Sequence, residues 1–226
     1  MQHDHHEQLQ KSWQSSSDAW AAALCEQSID TRRLVTDAAI LQALLALNPR
    51  RVLDLGCDEG WLCRGLAELG IVSVGVDASA AFVARAPEAV AYTGRYRAYG
   101  YAELREQAPC LGRFELLLCN LAVLDSSLET LLSDLHSVLA PGGSLLIQAL
   151  HPWRASDDAP DPEGWQVESF MGFAASLKRP MPWLFRTLQS WLGIFKATGW
   201  RLEWLQEPLH PESVQPVSLL LLLKPA

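Results

Sequence analysis

A chain of 226 residues, 49% of them hydrophobic, carries enough apolar surface for one α/β domain with additions, which excludes global disorder. The formal charge of −8, with no basic cluster longer than "TRR" or "KRP", argues against nucleic acid held by electrostatics. Five scattered cysteines without metal-type spacing, no apolar leader in "MQHDHHEQLQ" and a "LLLLL" run too short for a bilayer lead us to expect a soluble cytoplasmic protein without membrane or metal.

The histidines of "HDHH" read as a frayed, solvated terminus rather than a metal site. Residues 12–25 and 30–47 read as two helices, the second with Leu34, Ile40, Leu41, Leu44 and Leu45 at helical spacing and stopped by Asn48-Pro49. A strand at 51–55 follows, then a helix at 61–69 and a strand, "IVSVGV", that ends before Asp77. Next come a helix near 79–86, a strand near 95–99 and a short helix after Gly100. "FELLLCN" (114–120) is a buried strand, 127–139 a helix and 144–150 another strand. This alternation predicts a parallel sheet with helices on both faces and a ligand at the carboxyl ends of the strands. "HPWRASDDAPDPEGWQ" reads as a long surface loop of the kind used for lids. A helix at 182–197 then leads to "GWRLEWLQE" and "PVSLLLLLK", which the intervening turn residues predict to pair antiparallel.

Five stretches carry a resemblance: "VLDLGCDEG", "VGVDAS", "FELLLCNLAVL", "VLAPGGSLLIQ" and "FKATGWRLEWLQEP". Singly each is weak. Gly56 and Gly60 would suit any tight strand–helix turn, and Asp77 could cap a helix. In this order they resemble the class I S-adenosylmethionine-dependent methyltransferases over roughly residues 30–226. The resemblance implies a three-layer, Rossmann-like, seven-stranded sheet, mostly parallel with an antiparallel last strand. Residues 1–29 would then be a tail and lid helix, with 151–198 a substrate-covering insertion and helix within the 30–226 domain. It also implies that Asp54, Gly56, Cys57, Asp58 and Gly60 surround the methionine end of S-adenosylmethionine. Asp77 would receive the ribose, and Ala78, Tyr101, Ala102, Asn120 and Leu121 would lie about the adenine.

Two positions depart from the family pattern. Asp58 stands where relatives carry the middle glycine, and its charge could meet either the cofactor's ammonium or its carboxylate. Tyr101 stands where many relatives carry an acid for adenine, which leaves Ala102 backbone groups with Ala78 and Leu121 as walls. A binding or regulatory protein on the same fold, transferring nothing, therefore stays open. An NAD-dependent oxidoreductase is the third reading, weakened because Cys57 and Asp58 interrupt any Gly-x-Gly-x-x-Gly fingerprint.

Methyl transfer asks for alignment and a dry pocket, and sometimes for a proton acceptor. His151, just past the fifth strand, is the candidate base, with His210 in the terminal turn as a second. "MPWLFRTLQSWL" resembles a stretch of small-molecule methyltransferases. With Trp13 and Trp20 on one face of the first helix, it suggests a partly aromatic pocket built from Trp13, Trp20, Trp153, Trp183 and Arg186. The expected partner is a small-molecule methyl acceptor.

Overall fold

Short runs of Val, Leu and Ile, apolar on both sides, form the strands of a central sheet. The computed structural model describes residues 2–86, 95–152, 163–168 and 180–226. Its strands are β1 (Arg51–Leu55), β2 (Val72–Asp77), β3 (Arg95–Ala98), β4 (Phe114–Asn120), β5 (Leu139–Leu150), β6 (Gly164–Glu168), β7 (Met181–Phe185), β8 (Trp200–Gln206) and β9 (Ser218–Pro225). Helix α1 (Gln2–Cys25) is followed by a π-helical turn (Arg32–Thr36) and α2 (Asp37–Leu47). The remaining helices are α3 (Trp61–Glu68), α4 (Ala80–Val83), α5 (Tyr101–Leu111), α6 (Leu128–Leu135) and α7 (Leu188–Ala197).

Seven strands lie in the order β3-β2-β1-β4-β5-β9-β8. The first five are mutually parallel, and β9 runs antiparallel to β5 and β8 on either side. This is the expected mostly parallel sheet with an antiparallel last strand. Helices α5, α6 and α7 cover one face through Leu104, Leu131, Leu135, Trp191 and Phe195. Helices α2 and α3 cover the other through Ile40, Leu44, Leu62 and Leu66.

The "LLLLL" run is explained by this sandwiching. Leu219, Leu221 and Leu223 face the first layer, and Leu220 and Leu222 face the second. A strand buried on both faces has no polar side to alternate with. Because Leu221 is fully buried, Leu221→Ala is expected to cost about 3 kcal/mol of stability, read as a lower urea midpoint at unchanged slope.

The structure corrects several local expectations. The supposed frayed tail is helical from Gln2 onward. An isolated end would fray, but Leu9 and Trp13 pack against Met181 and Leu124, and the His5 ring stacks on Trp165 at 4.8 Å. The helix expected at 182–197 begins only at Leu188, capped by Thr187 Oγ1, which accepts from the Ser190 N–H at 3.2 Å. Before it, residues 181–185 pair antiparallel with 164–168 as a separate hairpin. Pro182 within that run removes a helical donor, and the Leu184 N–H donates instead to the Leu124 carbonyl at 2.7 Å. Of the stretch expected to be a long loop, residues 164–166 belong to β6, and residues 153–162 lie outside those described. Helix α4 spans four residues instead of eight. Helix α6 stops at Leu135, and β5 starts at Leu139, earlier than expected. Its early part bends at Gly142 (φ +75°).

Candidate functional site

The sheet order reverses between β1 and β4, and the crevice there opens at the strands' carboxyl ends. The loop after β1 is drawn across to β2, because the Gly56 and Cys57 N–H groups both donate to the Val76 carbonyl, at 2.8 and 3.1 Å. Gly56 has φ +76°, and a Cβ built there would lie 2.4 Å from the Ala122 Cβ. Only glycine fits between this loop and the one after β4 at this point.

Asp77 ends β2 and ties two loops together. Its Oδ2 accepts the Asp58 N–H at 3.0 Å and its Oδ1 accepts the Ser79 N–H at 2.7 Å. Asp58 itself adopts φ +50°, a left-handed conformation that Asp tolerates better than most residues. Its side chain, about one fifth exposed, faces Arg32, with Nη1 3.8 Å from Oδ2. Arg32 comes from the π-helical turn, where its Nε donates to Asp37 at 3.0 Å and its guanidinium lies over the Trp61 ring. Its Nη2 is buried and meets no acceptor among the described residues. Burial, with the Asp77 carboxylate close by, pushes Asp58 up to about 7. Burial pushes Asp77 up to about 6, against the two N–H donors, which pull the other way.

A cavity of about 700 Å³ opens over these groups. Gly56, Asp58, Asp77, Ala78, Tyr101, Ala102, Asn120 and Leu121 all line it, as do Arg32 and Phe82. Helix α1 roofs it with Leu9, Trp13 and Trp20, and the hairpin contributes Glu168, Met181 and Trp183. Trp13 and Trp20 meet edge to face at 5.2 Å. His151 also lines it, its Nε2 2.9 Å from Glu207 Oε1.

Other residues singled out in the sequence lie elsewhere. Asp54 is buried behind the loop, pushed up to about 7 by desolvation, with the Cys63 thiol donating to it at 3.6 Å. Cys57 is buried against Gly75, and Gly60 (φ +79°) packs on the Tyr96 ring. Tyr101 donates its hydroxyl to the Ala122 carbonyl at 3.2 Å, so it braces the same loop that Gly56 approaches. Arg186 does not reach the large cavity. It is buried beside Trp191, donates to the Asp125 carbonyl and lines a separate small hole, because the turn from β7 into α7 aims it inward. Trp153 lies outside the described residues. His210 accepts backbone N–H groups of Glu212 and Ser213 within its turn and is not part of the cavity wall.

Arg32, Phe82 and Glu103 line the cavity but were not singled out from the sequence. Glu103 left a readable trace: three residues after Gly100, its Oε2 accepts the Gly100 N–H at 2.8 Å in a capping arrangement. Arg32 left none, since its partner Asp58 lies far along the chain. Among the described residues no helix is long and apolar enough to cross a membrane, and no cluster of three His, Cys, Asp or Glu could hold a metal ion.

A family model described as a methyltransferase domain matches residues 30–204. A Synechocystis protein described as an uncharacterized methyltransferase is 29% identical over 168 residues, covering 70% of this chain and 63% of that protein. The chain thus spans somewhat less than two thirds of that relative's length. A putative S-adenosylmethionine-dependent methyltransferase from Listeria monocytogenes superposes with a TM-score of 0.63 at 20% identity, over 80% of this chain and 92% of that one. The Burkholderia thailandensis 1,6-didemethyltoxoflavin-N1-methyltransferase superposes with a TM-score of 0.65 at 19% identity, over 100% and 91% of the two chains. At such identities the superpositions speak to the fold.

Proposed function

Because the chain belongs to the methyltransferase-domain family, we propose that it moves a methyl group from S-adenosylmethionine to a small organic acceptor held in the same cavity. The observation that carries this reading is the opposed pair Arg32–Asp58 beside the Gly56 cradle, within reach of Asp77 at the β2 end. The cofactor's amino-acid end is a zwitterion, and the pair offers it one partner of each sign. The unpartnered Nη2 of Arg32 would take the carboxylate, and Asp58 the ammonium. Asp77 would accept from the ribose hydroxyls, with Phe82, Ala78 and Leu121 as walls for adenine. When bound, the cofactor supplies a methyl group already activated by its sulfonium. The protein's part is then to bind, align and exclude water.

Cavity volume supports a small acceptor. A single drug-sized ligand occupies a site of roughly 300–1,000 Å³, and about 700 Å³ must here hold both cofactor and acceptor. The free thiols Cys57, Cys63, Cys110 and Cys119 fit a reducing, cytoplasmic setting.

Calorimetric titration tests the reading. S-adenosylmethionine and its demethylated product S-adenosylhomocysteine are expected to bind. 5′-Methylthioadenosine, which lacks the amino-acid end, should bind at least about tenfold more weakly. NAD should not bind, and NAD binding in place of the other two would overturn the proposal.

A pH dependence follows from the raised carboxyls. Pairing with an ammonium requires Asp58 ionised, so the cofactor must expel its proton below about pH 7. Affinity should therefore fall by up to about tenfold between pH 8 and pH 6, and less in Asp58→Asn, which should bind severalfold more weakly at pH 8. Stability of the ligand-free protein runs the other way. Carboxyls raised in the folded state to about 7 and about 6 contribute stability below their unfolded value of about 4, and this is lost as pH rises through the folded values. Affinity and stability changing in the same direction between pH 6 and pH 8 would contradict this account of Asp58.

A further inference from the structure

Arg186 is only 5% exposed, yet the described residues satisfy its guanidinium only in part. Nη2 donates to the Asp125 carbonyl, and the group lies 5.6 Å from the centre of the Trp191 ring. Nη1 is buried and meets no acceptor among the described residues. Gln148, 1% exposed in β5, is in the complementary position. Its Nε2 donates to Ser218 Oγ at 3.1 Å, while its Oε1 is buried and meets no donor among the described residues. Both residues line the same small hole of about 20 Å³, which is otherwise lined by apolar residues. A buried donor on a cation and a buried carbonyl are each costly to leave unpaired. One water needs about 10–15 Å³ and two to four polar partners, and the hole offers both.

We propose that this hole binds one ordered water molecule, which accepts from Arg186 Nη1 and donates to Gln148 Oε1. The chemistry selects water over an ion. A cation would meet the guanidinium and an anion the carbonyl oxygen of Gln148, so only a neutral molecule that both accepts and donates suits the two. The volume admits nothing much larger. The site also lies directly behind the wall of the main cavity, because Leu121, Leu124, Leu150 and Trp183 line both spaces. The hairpin that carries Trp183 is tied to the loop after β4 by two bonds, from the Leu184 N–H to the Leu124 carbonyl and from Arg186 to the Asp125 carbonyl. The water supplies a third tie, from the residue after β7 to Gln148 in β5, and so holds Trp183 in place from behind. Arg186, which does not reach the cavity, is the positioning residue of that wall. This assignment is independent of what the cavity binds.

The test uses the full chain, crystallised with and without sodium bromide. Wild-type density should show a single water within about 3.2 Å of both Arg186 Nη1 and Gln148 Oε1, with no anomalous bromide signal at that point. A bromide peak would make the hole an anion site facing a turned Gln148 amide, and a dry hole would leave both groups unpaired. Either result overturns the proposal, and the wild-type crystals decide it even where a variant fails to fold. Hydrogen exchange followed by NMR reads the tie in solution. Gln148→Met fills the hole without offering an acceptor oxygen. The Leu184 amide should then exchange about tenfold faster relative to the Leu118 amide in β4. Gln148→Glu keeps an acceptor oxygen for the water and should return that ratio to within about threefold of wild type. Equal ratios in all three proteins would overturn the positioning role.

Discussion

Gly56→Val is expected to weaken S-adenosylmethionine binding by at least about a hundredfold, close to 3 kcal/mol. Two physical effects act together. The residue has φ +76°, a conformation that costs any L-residue roughly 1–2 kcal/mol and a β-branched one more. The added Cβ also falls 2.4 Å from the Ala122 Cβ and 3.2 Å from the Tyr101 hydroxyl oxygen, so the loop after β4 must move. That loop carries Asn120 and Leu121 into the cavity, and its displacement removes an adenine wall as well as the methionine cradle. Calorimetry reads the affinity, and circular dichroism with urea titration checks that the variant is folded. Gly56→Ala combined with Ala122→Gly separates the two effects: relief of the overlap should restore part of the binding, and the rest of the loss belongs to the backbone. Affinity within threefold of wild type in Gly56→Val would mean that no ligand is held against this loop.

Asp77→Ala should weaken the cofactor by a similar factor with little change in stability. Two ribose hydroxyls donating to an ionised carboxylate contribute about 1.5–3 kcal/mol each when partly buried, and alanine forfeits both. The folded protein loses acceptors for the Asp58 and Ser79 N–H groups but is relieved of a buried charge that raises Asp58. These two effects oppose each other, so the urea midpoint should move less than the affinity. Asp77→Asn, which keeps one acceptor oxygen, should fall between wild type and alanine in affinity. Loss of affinity that only tracks a loss of stability would instead confine Asp77 to its observed role as a tie between the two loops. Unchanged affinity in Asp77→Ala would count against the proposed function as a whole.

What the sequence by itself determined was whatever neighbouring residues encode. Alternating short apolar runs placed the core strands, and "LLLLL" appears as one strand because both of its faces are covered. Gly56 announced a tight loop because a left-handed turn excludes most other residues, and Asp77 could be located because it ends a strand. The order of these pieces sufficed for the sheet, since β–loop–α units in succession have few ways to pack. Tertiary structure alone decided the rest. Arg32 looked like one more helical residue until folding set it against Asp58, and Glu207 meets His151 only because β9 pairs with both β5 and β8 and brings their ends within reach of each other. Arg186 is the converse, a plausible anchor by its neighbours but turned inward to the Asp125 carbonyl. The β6–β7 hairpin was hidden because Trp183, Trp191 and Phe195 also fit a helical period, and Pro182 gains an edge position only once a partner strand exists. Periodicity and turn chemistry act over a few residues and can be read along the chain. An ion pair, a side-chain hydrogen bond or a strand partner depends on which distant segments meet in the fold, and only the packed sheet brings those segments together.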